Sequence, residues 1–291
     1  CNSCAEANEA AMKIAKKAAK LDGGLDKIGI VTAEQSFHGR TLAAITATGQ
    51  PKYQKSCTPL VPGFSYIPYN DVEALKAVVN ENTCAVMMEP AQGESGVHLA
   101  TNEFLRAARE LCDKFGAALI FDEVQTGLGR TGKLFGFQHF DVVPDIMTLA
   151  KTLGGGFPIG ACLARGKYAD VFEPGDHAST FGGNPLACAA GIAAVTEIAE
   201  GGWVENAAEV GAYFRTRLAE LDDIKEVRGL GLMIAAEFTK LKAKDIASKA
   251  LANGLIVNPI GESILRFVPP LIITKALVDR AMDVLSKVES P

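Results

Sequence analysis

Apolar residues recur in two periods along this chain. From Glu6 to Lys20 they fall at Ala7, Ala10, Ala11, Ile14, Ala15 and Ala18, which is helical spacing. The same reading predicts helices over Asp71–Asn80 and Asn102–Phe115, and a long one from Leu186 to Glu200 behind Asn184-Pro185. Short continuous apolar runs alternate with the helices: Lys27–Thr32, Cys84–Met88, Ala117–Phe121, Asp145–Ala150 and Ile159–Ala164. Such runs predict strands buried on both faces of a mostly parallel sheet. After Gly201-Gly202 the character changes. A helix (Trp203–Leu221), short strands within Val227–Phe238, a helix (Lys244–Asn253), strands at Ile256-Val257 and Ile264–Val268 and a last helix (Thr274–Val288) read as a smaller α+β domain. The expected division is residues 1–201 and 202–291.

Ligands of such sheets sit beyond the carboxyl ends of the strands. Three of the predicted strands end on chemistry-bearing residues: Glu89, Asp122 and Lys151. Lys151 is followed by Thr-Leu-Gly-Gly-Gly-Phe-Pro, so it is expected as a buried amine beside a turn made mostly of backbone. Such an amine loses its proton near neutral pH and attacks a carbonyl. Taken alone, Lys151 reads first as a surface residue opening a loop, and Asp122 as a common cap for the next turn; the rest of the chain has to overturn that.

Other segments enlarge the picture. Asn2-Ser3-Cys4-Ala5-Glu6 opens a helix whose free N–H groups suit an anion, although Ser3 is also an ordinary N-cap. Ser36-Phe37-His38-Gly39-Arg40 offers an aromatic face and a guanidinium, and Ser179–Pro185 is a loop of small residues. Together these supply a phosphate cradle, a carboxylate for a ring nitrogen, an aromatic stacker and an amine, the requirements of pyridoxal phosphate. No dinucleotide-type or Walker glycine pattern competes, since Gly154–Gly156 follow the lysine. The four histidines are dispersed, and none is assigned a catalytic role.

Bulk composition narrows the classes. The chain has 291 residues, 48% hydrophobic and 22% charged, with net charge −5 and no basic block, so neither nucleic acid nor a membrane surface is indicated. Seven scattered cysteines read as reduced thiols, which suits cytoplasm or an organellar matrix. Cys1-x-x-Cys4 lacks a second ligand pair at zinc spacing, so no metal is expected.

The motifs N-S-C-A-E-A-N-E, F-H-G-R-T, M-E-P-A-Q-G-E, F-D-E-V-Q-T-G-L-G-R-T-G, L-A-K-T-L-G-G-G-F-P-I-G, G-D-H-A-S-T-F-G-G-N-P and V-R-G-L-G-L-M occur in that order. In them the chain resembles the class III aminotransferases of pyridoxal-phosphate fold type I, over essentially its whole length. Within the class, the branch acting on ornithine and its N-acetyl derivative matches best, with 4-aminobutyrate enzymes the rival. A non-catalytic cofactor-binding relative would lack Lys151 or Asp122, and both are present.

The resemblance implies roles. Lys151 would carry the cofactor and shuttle a proton, and Asp122 would pair with the ring nitrogen. Gln125 would contact the ring hydroxyl, Phe37 would stack on the ring, and the N–H groups of Cys4 and Ala5 would hold the phosphate. Thr180 would reach a neighbouring subunit's phosphate, making a homodimer with shared sites. Arg266 would take the α-carboxylate of glutamate or 2-oxoglutarate, Glu94 would pair with Arg266 when the donor presents a terminal amine, and Arg40 would grip the carboxylate of the ornithine derivative. Cys4 replaces the family's usual glycine, a cost of about 1 kcal/mol or more if the backbone there needs φ > 0. The family also has sequence ahead of Cys1, so targeting is not legible and the chain is expected to be poorly active or unstable alone.

Overall fold

The computed structural model describes residues 1–289. Its strands in chain order are β1 (Gly29–Ala33), β2 (Phe64–Ile67), β3 (Thr83–Met88), β4 (Ala91–Gln92), β5 (His98–Leu99), β6 (Ala118–Asp122), β7 (Ile146–Leu149), β8 (Ala161–Ala164), β9 (Ile224–Leu230), β10 (Met233–Phe238), β11 (Asn258–Ile260) and β12 (Ile264–Phe267). Its helices are α1 (Cys4–Leu21), α2 (Leu42–Ala47), α3 (Pro51–Gln54), α4 (Val72–Val78), α5 (Asn102–Phe115), α6 (Pro185–Glu200), α7 (Trp203–Leu218), α8 (Ala243–Ala252) and α9 (Lys275–Glu289).

The chain forms two compact units. The first holds a six-stranded sheet in the order β2-β1-β3-β6-β7-β8. Its neighbours are parallel except β8, which runs antiparallel to β7. Every residue of β3 and β6 is buried, as a strand covered on both faces requires. Side chains alternate between the faces. Val31, Val86, Leu119 and Phe121 join Phe104 and Leu105 of α5 in one core, while Ile30, Ala85, Met87 and Ile120 pack with Met12 and Ala15 of α1 in the other.

Local chemistry sets the helix ends. Ser3 caps α1 by accepting the Glu6 N–H, and the Glu6 carboxylate reaches back to the Asn2 N–H at 2.7 Å. Thr101 caps α5 through the Phe104 N–H, and α5 occupies the predicted span. Cys4 is the first residue of α1 and is not among the positive-φ residues, so the strain expected for a cysteine there does not arise.

The second unit contains the antiparallel sheet β11-β12-β10-β9 and the chain from Glu197 onward. It also takes in Ala91–Leu99 and Leu128–Phe135, so the division is not a single cut after residue 201. The reason lies in packing: Ala91 and Val97 of the β4–β5 hairpin bury against Met233 and Ala235 of β10. The strand expected at Ile256-Val257 lies instead at Asn258–Ile260, where the backbone pairs with β12 and Ile256 stays exposed. Helices α2 and α3, strand β2 and the β4–β5 hairpin were not predicted; each has too few residues for a period to register. Among the described residues no helix is long and apolar enough to cross a membrane.

Candidate active site

Asp122 ends β6 and is buried, as is its neighbour Glu123, and the alternation of a strand sends the two in opposite directions. The Glu123 carboxylate turns to the loop that follows, accepting the Gly136 and Phe137 N–H groups at 2.8 and 2.6 Å and the Thr126 hydroxyl. Asp122 accepts at Oδ2 from the Asn8 amide (2.9 Å) and from His38 Nδ1 (2.9 Å), and at Oδ1 from the Val124 N–H (3.1 Å).

Asn8 ties this point together. Its amide also donates to the His38 carbonyl at 2.6 Å, and its oxygen accepts the Thr148 hydroxyl of β7 at 2.7 Å. One side chain of α1 therefore links β6, β7 and the Ser36–Arg40 loop. His38 is fully buried; burial alone would lower its pKa, but the hydrogen bond to Asp122 and the charges of Asp122 and Glu89 outweigh that and raise it. Its Nε2 is buried without a hydrogen-bond partner.

Glu89, just past β3, is buried and accepts the Phe37 N–H at 3.1 Å. Burial, with the Asp122 charge adding, pushes its carboxyl up to about 7 against the pull of His38, the Phe37 N–H and Lys151. Glu89 thus lies within reach of the charges of Asp122, His38 and Lys151. Phe37 is half-buried, edge-on to Tyr53 with ring centroids 5.8 Å apart. The exposed Arg40 lies over the Tyr53 ring at 4.2 Å and the Phe37 ring at 5.6 Å.

Lys151 differs from expectation. It does not cap the strand as a buried amine; β7 stops at Leu149, and Lys151 opens a short 3-10 turn, Lys151–Gly154, with φ +49° and an exposed side chain. The left-handed backbone turns it off the line of the strand and out of the core. A non-glycine residue at positive φ is uncommon and carries a steric cost of about 1 kcal/mol or more.

Two glycines allow the first turn of α1 to be approached closely. A Cβ on Gly160 would lie 2.3 Å from the Ser3 carbonyl, and one on Gly39, at φ +133°, would lie 2.8 Å from the Ala5 side chain. The N–H groups of Cys4 and Ala5 begin the helix, ahead of any i−4 acceptor, at the positive end of its dipole. The Ser179 hydroxyl accepts the Asn2 amide at 3.0 Å, docking the small-residue loop beside that turn and leaving Thr180 and Phe181 exposed. Gln125 follows Val124 and is half-buried.

Arg266 and Glu94 meet within the second unit. Arg266 on β12 donates through Nη1 to Glu94 Oε1 at 2.8 Å and to the Gly93 carbonyl at 2.9 Å. Among the described residues no cluster of side chains is arranged to hold a metal ion.

The family model for class-III aminotransferases matches residues 1–288. The chain belongs to this family. This aminotransferase is 54% identical to an acetylornithine aminotransferase of Caldanaerobacter subterraneus subsp. tengcongensis, over 99% of the present chain and 74% of that protein. A solved ornithine aminotransferase of Toxoplasma gondii, with PLP at partial occupancy in its active site, superposes with a TM-score of 0.92 at 38% identity, over 99% of this chain and 71% of that one. The N-acetylornithine aminotransferase of Stenotrophomonas maltophilia gives 0.85 at 40% identity, over 100% and 73%. The α/β architecture with its mostly parallel central sheet is that of these aminotransferases.

Asn8, His38 and Thr148 join the site without having been expected there. Asn8 had a signal: a polar residue on the apolar stripe of α1, between Ala7 and Ala11. His38 had none, since its contact with Asp122 spans 84 residues.

Proposed function

We propose that this aminotransferase moves the amino group of N-acetylornithine, or of ornithine, to 2-oxoglutarate, in arginine biosynthesis, with pyridoxal phosphate as cofactor and as a homodimer with shared sites. The observation that carries the reading is the buried Asp122 at the end of β6, one strand from Lys151. The donor set fits the cofactor. Asp122 keeps acceptor capacity at Oδ1 for a ring N–H, because a carboxylate oxygen accepts two donors. The first turn of α1 offers N–H groups to a phosphate.

When bound, pyridoxal phosphate supplies an electrophilic carbon and a ring that takes up electron density from the substrate's reacting carbon. Asp122 holds a proton on the ring nitrogen, and His38 and Asn8 hold Asp122. Cys4 and Ala5 bind the phosphate, Phe37 covers the ring face and Gln125 contacts the ring hydroxyl. Lys151 binds the cofactor and moves the proton at the amine-bearing carbon. Arg266 takes the α-carboxylate of glutamate or 2-oxoglutarate, Glu94 covers Arg266 when the donor's terminal amine is in place, and Arg40 grips the donor's carboxylate. Thr180 reaches the partner's phosphate. The exposed Phe181, Leu186 and Ile192 support an interface with a second copy, since α6 is apolar almost throughout and exposes much of that surface.

The test is borohydride reduction of the whole holoenzyme, peptide mapping, and a donor panel with 2-oxoglutarate. Label on Lys151 and preference for N-acetylornithine or ornithine over succinylornithine and 4-aminobutyrate are expected. Label absent from Lys151 would falsify the reading, and preference for 4-aminobutyrate would move the protein to the rival branch.

A further inference from the structure

The second unit presents two arginines in one row. In the antiparallel ladders, Ala235 of β10 stands opposite Arg228 of β9 on one side and Arg266 of β12 on the other. Directly opposed residues share a face, so both arginines rise from the same side of the sheet. Ala235 between them is small and fully buried, and the β4–β5 hairpin packs over it through Ala91 and Val97.

Each arginine grips one end of the hairpin's turn. Arg266 Nη1 holds the Gly93 carbonyl and the Glu94 carboxylate. Arg228 Nε donates to the Gly96 carbonyl at 2.9 Å. Arg228 Nη1 is itself held by Glu226 (2.7 Å) and Glu237 (2.8 Å), and the side chain is only 10% exposed. The fit is close: a Cβ on Gly96, at φ +119°, would lie 3.1 Å from Arg228 Nη2 and 2.9 Å from Ile264. The turn bearing Glu94 is thereby fixed at both ends, with Arg228 holding it through the Gly96 backbone carbonyl.

We infer that Arg228 is a positioning residue for amino-donor selection: it pins the Gly93–Gly96 turn so that Glu94 returns to Arg266 whenever no carboxylate occupies that arginine. The inference rests on the reading of Arg266 and Glu94 given above. With the backbone pinned, only the Glu94 side chain has to swing when the oxo acid arrives, and the turn remains in place for the next donor. With the Gly96 grip lost, the Glu94 contact carries the entropy of a loose turn, which disfavours the covered state of Arg266 and leaves the oxo acid's own contact intact.

The experiment compares the wild-type holoenzyme with Arg228→Lys, Glu94→Gln and the double variant. Arg228→Lys keeps a charge beside Glu226 and Glu237 and lacks the planar fork that also reaches Gly96. KM and kcat are measured for the amino donor and for 2-oxoglutarate separately. In Arg228→Lys the ratio of donor KM to 2-oxoglutarate KM is expected to rise about three- to tenfold, the scale of one hydrogen bond, with kcat little changed. In the Glu94→Gln background the same substitution is expected to leave the ratio unchanged. An equal change in both backgrounds, no change in either, or a parallel loss of kcat and both KM values would overturn the Arg228 role. A ratio unmoved by Glu94→Gln alone would remove the Arg266–Glu94 reading, and the Arg228 role with it. A ratio moved by Glu94→Gln and unmoved by Arg228→Lys would remove the Arg228 role only.

Discussion

Replacing Glu89 with glutamine removes a carboxyl that the fold keeps out of water. The side chain is buried beside Asp122, and burial, reinforced by that neighbouring charge, takes its pKa from the ordinary 4.5 to about 7. Between these values the unfolded chain has released a proton that the folded chain still binds. Stability is therefore fully present below pH 4.5 and falls as pH rises through 7. Moving the group from 4.5 to about 7 corresponds to roughly 3 kcal/mol across the whole interval. Glutamine keeps an acceptor for the Phe37 N–H, so the substitution tests charge more than shape. The assay is urea unfolding of wild type and Glu89→Gln, both without cofactor, at pH 5 and pH 8. Relative to wild type, Glu89→Gln is expected to gain roughly 2–3 kcal/mol between the two pH values. Differences that stay equal at both pH values would refute the argument and mean that Glu89 titrates normally in the folded chain.

Three further outcomes are expected. Asp122→Asn sets amide and imidazole donors against an amide and removes the charge facing a ring nitrogen; cofactor retention in equilibrium dialysis should weaken about 10- to 100-fold, and unchanged retention would count against Asp122 as the ring's partner. Gly160→Ala places a methyl group 2.3 Å from the Ser3 carbonyl. It should cost about 1–3 kcal/mol by denaturant unfolding, and an unaltered midpoint would show that the contact between this segment and α1 is loose. Ile192→Glu puts a charge on the exposed apolar surface of α6 and should shift sedimentation toward monomer, whereas an undiminished dimer would place the interface elsewhere.

Much of the site was legible because it sits at strand ends. Glu89, Asp122 and Lys151 each close an apolar run, and a run that stops at a charged residue is a local signal. The N-terminal turn of α1 was legible for the same reason, since Ser3 and Glu6 are three residues apart and make their cap locally. Asn8 and His38 were not. They reach Asp122 across 114 and 84 residues, and nothing beside them in the chain encodes that contact. The environment of Lys151 is not legible in the sequence, because apolar neighbours on one side do not reveal a left-handed turn that carries the side chain outward. The β4–β5 hairpin reads as part of the first unit by position, yet its apolar residues find their partners on β10.

By itself, then, the sequence determined the alternation of helices and strands, the residues that end those strands and the family to which they belong. These follow from periodicities and neighbours a few residues apart. Tertiary structure alone decided that β8 runs against the sheet, that Asn8 and His38 hold Asp122, that Lys151 faces solvent, and that Arg228 and Arg266 stand in one row beneath the turn carrying Glu94. Such facts depend on strand direction, register and burial. These are settled when distant segments exclude water from one another, and a chain read in order carries no mark of them.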